Sequence, residues 1–248
     1  MSKVLLVTGG SAGIGAATVR LAAARGYKVA FSYRSSDSAA HALVDEVTKA
    51  GGIARTFKSD AADEAATIAL FNDVDKAFGR LDALVTNAGI TGPTATLETI
   101  TSATLDDVFA INVRGVFIAT REAIKRMAID LGGKGGSIVN LSSVAATLGG
   151  PNDWVHYAAS KGAIDSFTIG AAKELAPRGI RVNAVVPGLI NTEIHAKAGL
   201  GDRLAKLGSS VPMGRVGTAD EVAKSILFLL SDQASYTTGT FLTVAGGR

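Results

Sequence analysis

The amino-acid sequence predicts an α/β fold: one domain, 1–248, built on a doubly wound parallel sheet of about seven strands with helices on both faces. Two observations carry that expectation. Short β-branched apolar runs alternate with segments of helical period along the whole chain. Several of the runs are apolar without interruption, which suits strands buried on both faces of a parallel sheet.

The runs fall at "KVLLVT" (3–8), "KVAFSY" (28–33), "IARTFKS" (53–59), "LDALVTN" (81–87), "SIVNLSS" (137–143), "IRVNAVVP" (180–187) and "FLTVAG" (241–246). Between the first two, Ile14, Thr18, Leu21, Ala22 and Arg25 share one helix face, and Gly26 follows as a stop. Phe71, Val74 and Phe78 mark another helix, closed by Gly79. Two long helices are expected from about Leu105 to Ala128 and through 162–175. Thr218 and Glu221 form a capping-box pattern ahead of Val222, Ile226, Leu229 and Leu230. Strands alternating with helices imply right-handed crossovers, and no Pro/Ser-rich linker breaks the series.

Composition narrows the function. Of 248 residues 47% are hydrophobic and 19% charged, which is globular. The net charge is +3 with the basic residues scattered singly, so no nucleic-acid footprint is expected. The chain has no cysteine and only His41, His156 and His195, which leaves little for a metal site. Apolar runs such as "ILFLL" (226–230) fall well short of the ~18 residues a membrane span needs. No signal peptide is recognised, so the expected location is cytoplasmic.

"VTGGSAGIG" (7–15) joins the first strand to the first helix, with Gly9, Gly13 and Gly15 at the junction. Glycines there permit a tight turn and close backbone approach to a pyrophosphate, beside helix N–H groups aimed at negative charge. The context points to a Rossmann-type dinucleotide site. At the end of the second strand "SYRSS" (32–36) sets Tyr33 where an acid would hold NAD ribose hydroxyls, followed by Arg34 and Ser35. An arginine there can hold a 2′-phosphate through a charge-assisted fork, so NADP (as NADPH) is expected over NAD.

Over nearly its whole length the chain resembles the short-chain dehydrogenase/reductase family. "TGGSAGIG" (8–15) is similar to that family's cofactor turn and adds Ser11 and Ile14 to the binding set. "SDAADEA" (59–65) places Asp60 and Ala61 beside an adenine. "TNAG" (86–89) supplies Asn87, Ala88 and Gly89 and departs from the family's "NNAG" at Thr86. "INVRG" (111–115) carries Asn112, "SIVNLSS" Ser143, and "YAASK" Tyr157 and Lys161. "VPGLINT" (186–192) resembles the nicotinamide clasp, with Pro187, Gly188, Ile190 and Thr192. Ala245 stands where an aspartate is common. Ser143 and Tyr157 are fourteen apart rather than the usual thirteen, and "LGGPNDW" (148–154) is the loop placed to absorb the extra residue.

The resemblance implies hydride transfer between a nicotinamide and a carbonyl or secondary alcohol. Charge building on oxygen needs a proton donor and a polarising hydrogen bond. A phenol with an ordinary value of about 10 is poorly matched to neutrality. Lys161, one helical turn on, can favour the phenolate. The resemblance further implies that Lys161 bonds the nicotinamide ribose, that Ser143 polarises the substrate oxygen, and that Asn112 anchors a water relaying protons to Lys161. Tyr157 and Lys161 thus count among the cofactor-binding residues as well as the catalytic ones.

The substrate pocket is expected along Ile90 to Pro93, the 144–156 loop and a lid-like segment at about 190–213 with Ile194, His195, Leu200, Leu204, Leu207 and Met213. Trp154 and His156 flank Tyr157, as substrate contacts or as packing. Among relatives the chain resembles both 3-oxoacyl-acyl-carrier-protein reductases, for which Arg178 and Lys134 are candidate carrier contacts, and bacterial glucose dehydrogenases. A dinucleotide-binding sensor without turnover is the alternative of another class. The resemblance also implies a homotetramer assembled through the two long helices.

Overall fold

A computed structural model describes residues 2–192 and 208–248. Seven strands form one parallel sheet: β1 (Val4–Val7), β2 (Lys28–Tyr33), β3 (Ile53–Lys58), β4 (Ala83–Thr86), β5 (Gly136–Leu141), β6 (Ile180–Pro187) and β9 (Phe241–Val244). Their spatial order is β3-β2-β1-β4-β5-β6-β9, all parallel. The order reverses between β1 and β4, where a crevice opens beyond the carboxyl ends. A two-residue ladder of β7 (Ile190–Asn191) with β8 (Gly217–Thr218) lies beside the sheet, and no sequence pattern announces it.

The helices are α1 (Gly13–Ala24), α2 (Asp37–Lys49), α3 (Glu64–Phe78), α4 (Ser102–Phe109), α5 (Gly115–Met127), α6 (Ala145–Leu148), α7 (Val155–Leu175) and α8 (Ala219–Leu230). The alternation of side chains along β1 divides the core into two layers. Leu5 and Val7 pack with Val19, Phe31, Val47 and Ile226 on one face. Val4 and Leu6 pack with Phe71, Val74, Met127 and Leu175 on the other. Phe31 and Phe71 are fully buried, each contributing about 2–3 kcal/mol of apolar transfer.

Two expectations need correction, and a third falls mostly outside the described residues. The helix anticipated from Leu105 to Ala128 is two helices, α4 and α5, joined by a π turn at Ala110–Arg114. The fifth strand stops at Leu141, so Ser142 and Ser143 occupy the loop after it, because Ser142 N–H follows β6 by donating to Val185 O while its side chain turns to α7. The lid-like segment lies mostly outside the described residues, and with it Ile194, His195, Leu200, Leu204 and Leu207; Met213 is described and exposed. The capping box on α8 forms as expected: Thr218 accepts from Glu221 N–H and Glu221 accepts from Thr218 N–H. Among the described residues no helix is long and apolar enough to cross a membrane.

Candidate active site

The glycine turn is built by close backbone contact. Gly9 has φ 65°, and a Cβ there would fall 2.9 Å from Ala88 Cα. A Cβ on Gly15 would lie 2.4 Å from Gly9 O and 2.6 Å from Asn87 Nδ2. Neither contact is attainable by a larger residue, so the turn requires glycine for its shape.

Thr8 and Asn87 stitch this turn to the end of β4. Thr8 Oγ1 accepts from Asn87 N–H at 3.0 Å and Ala88 N–H at 3.1 Å. Asn87 Nδ2 donates to Thr8 O at 3.0 Å and Gly9 O at 2.8 Å. The side-chain amide N–H groups of Asn87 are therefore engaged by protein and hold the cleft wall. Thr8 was not among the expected site residues, and its only local signal is its place before the turn.

One cleft of about 550 Å³ opens over this turn. Gly13, Ile14, Asn87, Gly89, Ser143, Tyr157, Lys161, Pro187, Gly188, Ile190 and Thr192, all named from sequence, line it. Thr192 faces the turn, its Cγ2 3.3 Å from where a Cβ on Gly13 would sit. Gly9, Ser11, Gly15 and Ala88 belong to the turn and its support and are not part of the lining.

Away from the cleft lining, at the carboxyl end of β2, Tyr33 is buried and its hydroxyl donates to Asp37 Oδ1 at 2.6 Å. The Tyr33 phenol thus serves the start of α2. Arg34 and Ser35 are exposed beside it. Asp60 accepts from Ala62 N–H at 2.9 Å, and Ala61 O packs where a Cβ on Gly115 would sit, 2.5 Å away.

Asn112 sits in the π turn, 1% exposed, with its side chain fully engaged. Its Oδ1 accepts from Ile90 N–H at 2.9 Å; its Nδ2 donates to Ile90 O at 2.8 Å and Ser160 Oγ at 3.0 Å. It clamps the loop after β4 to α7. π turns recur at functional sites because they displace backbone groups from the helical ladder.

On α7, Tyr157 and Lys161 share a face: Lys161 Nζ stands 5.7 Å from the centre of the Tyr157 ring and donates to Leu141 O at 2.7 Å. Burial pushes the Tyr157 phenol above its ordinary value, and the nearby Ser143 hydroxyl opposes that shift. Desolvation thus works against the expected acidification of the phenol. Burial also pulls Lys161 down to about 8, against the pull of Asp165. Ser143 and Tyr157 line the same cleft despite their longer spacing; the loop between them turns through Gly149, Gly150 and Asn152, all at positive φ.

Trp154 is buried and lines the cleft with Val144, Leu148 and Leu189. His156 is not part of the lining; its Nε2 meets the carbonyl oxygen of Thr91, which is, at 2.9 Å. Thr86, which departs from the family pattern, donates to Asn140 Oδ1 at 2.7 Å inside the sheet. Of the two candidate carrier contacts, Arg178 is paired with Asp130 at 2.9 Å.

A family model described as enoyl-(acyl carrier protein) reductase matches residues 9–248. The chain is 49% identical to the uncharacterized oxidoreductase YgfF of Escherichia coli (strain K12) over 245 residues, 99% of each. A short-chain dehydrogenase from Burkholderia cenocepacia in complex with NADP superposes with a TM-score of 0.89 at 37% identity, covering 99% of this chain and 97% of that one. A 3-ketoacyl-(acyl-carrier-protein) reductase from Brucella melitensis complexed with NADH gives 0.91 at 34% identity, covering 99% and 98%. Fold, cleft and relatives agree: the chain belongs to the short-chain dehydrogenase/reductase family of NAD(P)-dependent oxidoreductases.

Proposed function

We propose that this protein is an NADP(H)-dependent carbonyl reductase in which Tyr157 is the acid/base, Ser143 polarises the substrate oxygen and Lys161 supports the phenolate. The observation that carries the reading is that Ser143, Tyr157 and Lys161 line one cleft that opens onto the glycine turn. Bound there, a nicotinamide supplies or accepts the hydride. Its fit is supported by the cradle at Gly9 and Gly15, which any Cβ would fill, and by Thr192 across from Gly13.

The protein's part is proton handling and orientation. A phenol that holds its proton at neutral pH is suited to donate it to the oxygen of a carbonyl as charge develops there. Ser143 hydrogen-bonds the same oxygen and orients the carbonyl. The Lys161 ammonium, on the same face of α7, stabilises the phenolate left behind. Asn112 fixes the distance between the loop after β4 and α7 through Ile90 and Ser160. Val144, Leu148, Trp154 and Leu189 support a substrate with an apolar body.

The preference for NADP rests on Arg34, exposed after β2 where no acid replaces it, and agrees with the NADP bound by the Burkholderia relative. Exposed Phe109, Phe117 and Ile169 on α4, α5 and α7 support a homotetramer; elution as a monomer on sizing chromatography would overturn it. The decisive experiment titrates NADPH and NADH by nicotinamide fluorescence. NADPH binding at least about ten-fold tighter, ~1.4 kcal/mol, is expected, and Arg34→Ala should erase the difference. Tyr157→Phe should keep NADPH affinity and lose at least about two orders of magnitude in reduction of any carbonyl the wild type turns over. Equal affinities overturn the Arg34 assignment, and no binding of either nucleotide overturns the reductase reading.

A further inference from the structure

Three consecutive residues at the end of β5 are tied to one face of α7. Asn140 Nδ2 donates to Thr168 Oγ1 at 2.9 Å, Leu141 O accepts from Lys161 Nζ at 2.7 Å, and Ser142 Oγ donates to Asp165 Oδ1 at 2.5 Å. The helix partners stand at positions 161, 165 and 168, successive turns of one stripe. Asn140 is in turn bonded by Thr86 from β4. The residue that follows this seam is Ser143, which lines the cleft with Tyr157, one turn before Lys161.

We propose that Asp165, tethered by Ser142, is a positioning residue of the site: it anchors the loop that carries Ser143 against α7 and is the counter-charge of the Lys161 ammonium. The inference rests on the reductase reading of the same site.

The surroundings of Lys161 leave that role to Asp165. Its own helix presents Tyr157 and Asp165. The end of β5 presents the Leu141 carbonyl, the π turn the neutral Asn112 amide, and the loop after β4 the backbone of Gly89, where a Cβ would lie 3.7 Å from Nζ. Asp165 is the one charged group that acts on Lys161 among the described residues. Burial raises the Asp165 carboxyl, while the Ser142 hydrogen bond and Lys161 pull it back. Without a tethered carboxylate, an ammonium that is 5% exposed would have only dipoles to hold its charge. The hydroxyl of Ser142 therefore does two things: it keeps Asp165 in place, and it favours the ionised carboxylate over the neutral acid.

The test is the titration of Lys161 itself, which needs no substrate. With lysine labelled at Nζ with 15N, the Lys161 signal is identified by its absence in Lys161→Met. In Asp165→Asn, whose amide oxygen still accepts from Ser142, the Lys161 midpoint should fall by about one pH unit, the low end for removal of a neighbouring opposite charge. A midpoint unchanged from wild type overturns the proposal. The wild-type chain gives a second check that is independent of how the variant folds. The side-chain carboxyl carbon of Asp165 should show an inflection at the Lys161 midpoint that disappears in Lys161→Met, and its persistence there, or its absence from the wild type, overturns the proposal. In Ser142→Ala the Lys161 midpoint should fall in the same direction as in Asp165→Asn but by less, and carbonyl reduction should slow at least about ten-fold in kcat; full activity overturns the anchoring half. A wild-type protein that fails to bind NADPH sinks the reductase reading, whereas an unmoved lysine midpoint sinks this inference alone.

Discussion

Replacing Lys161 by methionine should make the protein more stable at neutral pH while removing its chemistry. Burial lowers the Lys161 ammonium from an ordinary 10.5 to about 8. A group that binds its proton less tightly folded than unfolded destabilises the fold wherever the unfolded chain holds that proton. Stability therefore rises with pH between about 8 and 10.5 and is lowest below 8. At ~1.4 kcal/mol per pH unit the interval corresponds to about 3 kcal/mol at pH 7. Methionine matches the stem of lysine but abandons the bond to Leu141 O, which takes back about 1 kcal/mol. The net gain is about 2 kcal/mol, or about 4–8 °C in Tm for a chain of this size. Urea unfolding at pH 7 and pH 10 measures it: the advantage should be clear at pH 7 and nearly gone at pH 10. A variant less stable than wild type at pH 7, or an advantage that ignores pH, would refute the argument from burial.

The same titration bears on rate. If the Lys161 charge supports the Tyr157 phenolate, kcat for carbonyl reduction should fall as pH rises through about 8, and a flat profile from 7 to 9 counts against the role. Gly15→Ala places a methyl 2.4 Å from Gly9 O, so NADPH fluorescence titration should show binding lost by at least about a hundred-fold, ~2.7 kcal/mol; a near-normal affinity would mean the turn opens freely. Asn112→Ala orphans the Ile90 N–H and C=O at a buried site, and denaturant unfolding should report a loss of about 3 kcal/mol.

What the sequence conveyed well was whatever is encoded by neighbours along the chain. Most of the seven strands were visible as short apolar runs, β3 with its Arg55, Thr56 and Lys58 excepted, and their ends shifted by a residue or two, as at Ser142. The glycine turn, the capping box of α8 and the Tyr157–Lys161 face were visible because their geometry is local. What stayed hidden arises between elements distant in the chain. Nothing in "INVRG" announces a π turn; the side chain of Asn112 is held by Ile90 and Ser160, which lie 22 and 48 residues away. Thr86 looked like a mild departure from a motif, yet its hydroxyl opens a chain of buried bonds through Asn140 to Thr168.

The Tyr157 phenol shows the same division most sharply. Spacing placed a lysine beside it and suggested a lowered value, whereas burial raises it, and burial is a property of the packed fold rather than of five letters. A phenol that keeps its proton until a carbonyl oxygen draws it away makes the ammonium matter most after the proton has left. The lysine is then less an activator of the resting phenol than a stabiliser of what the reaction makes of it, which is why the carboxylate that holds the charge of that lysine belongs to the site.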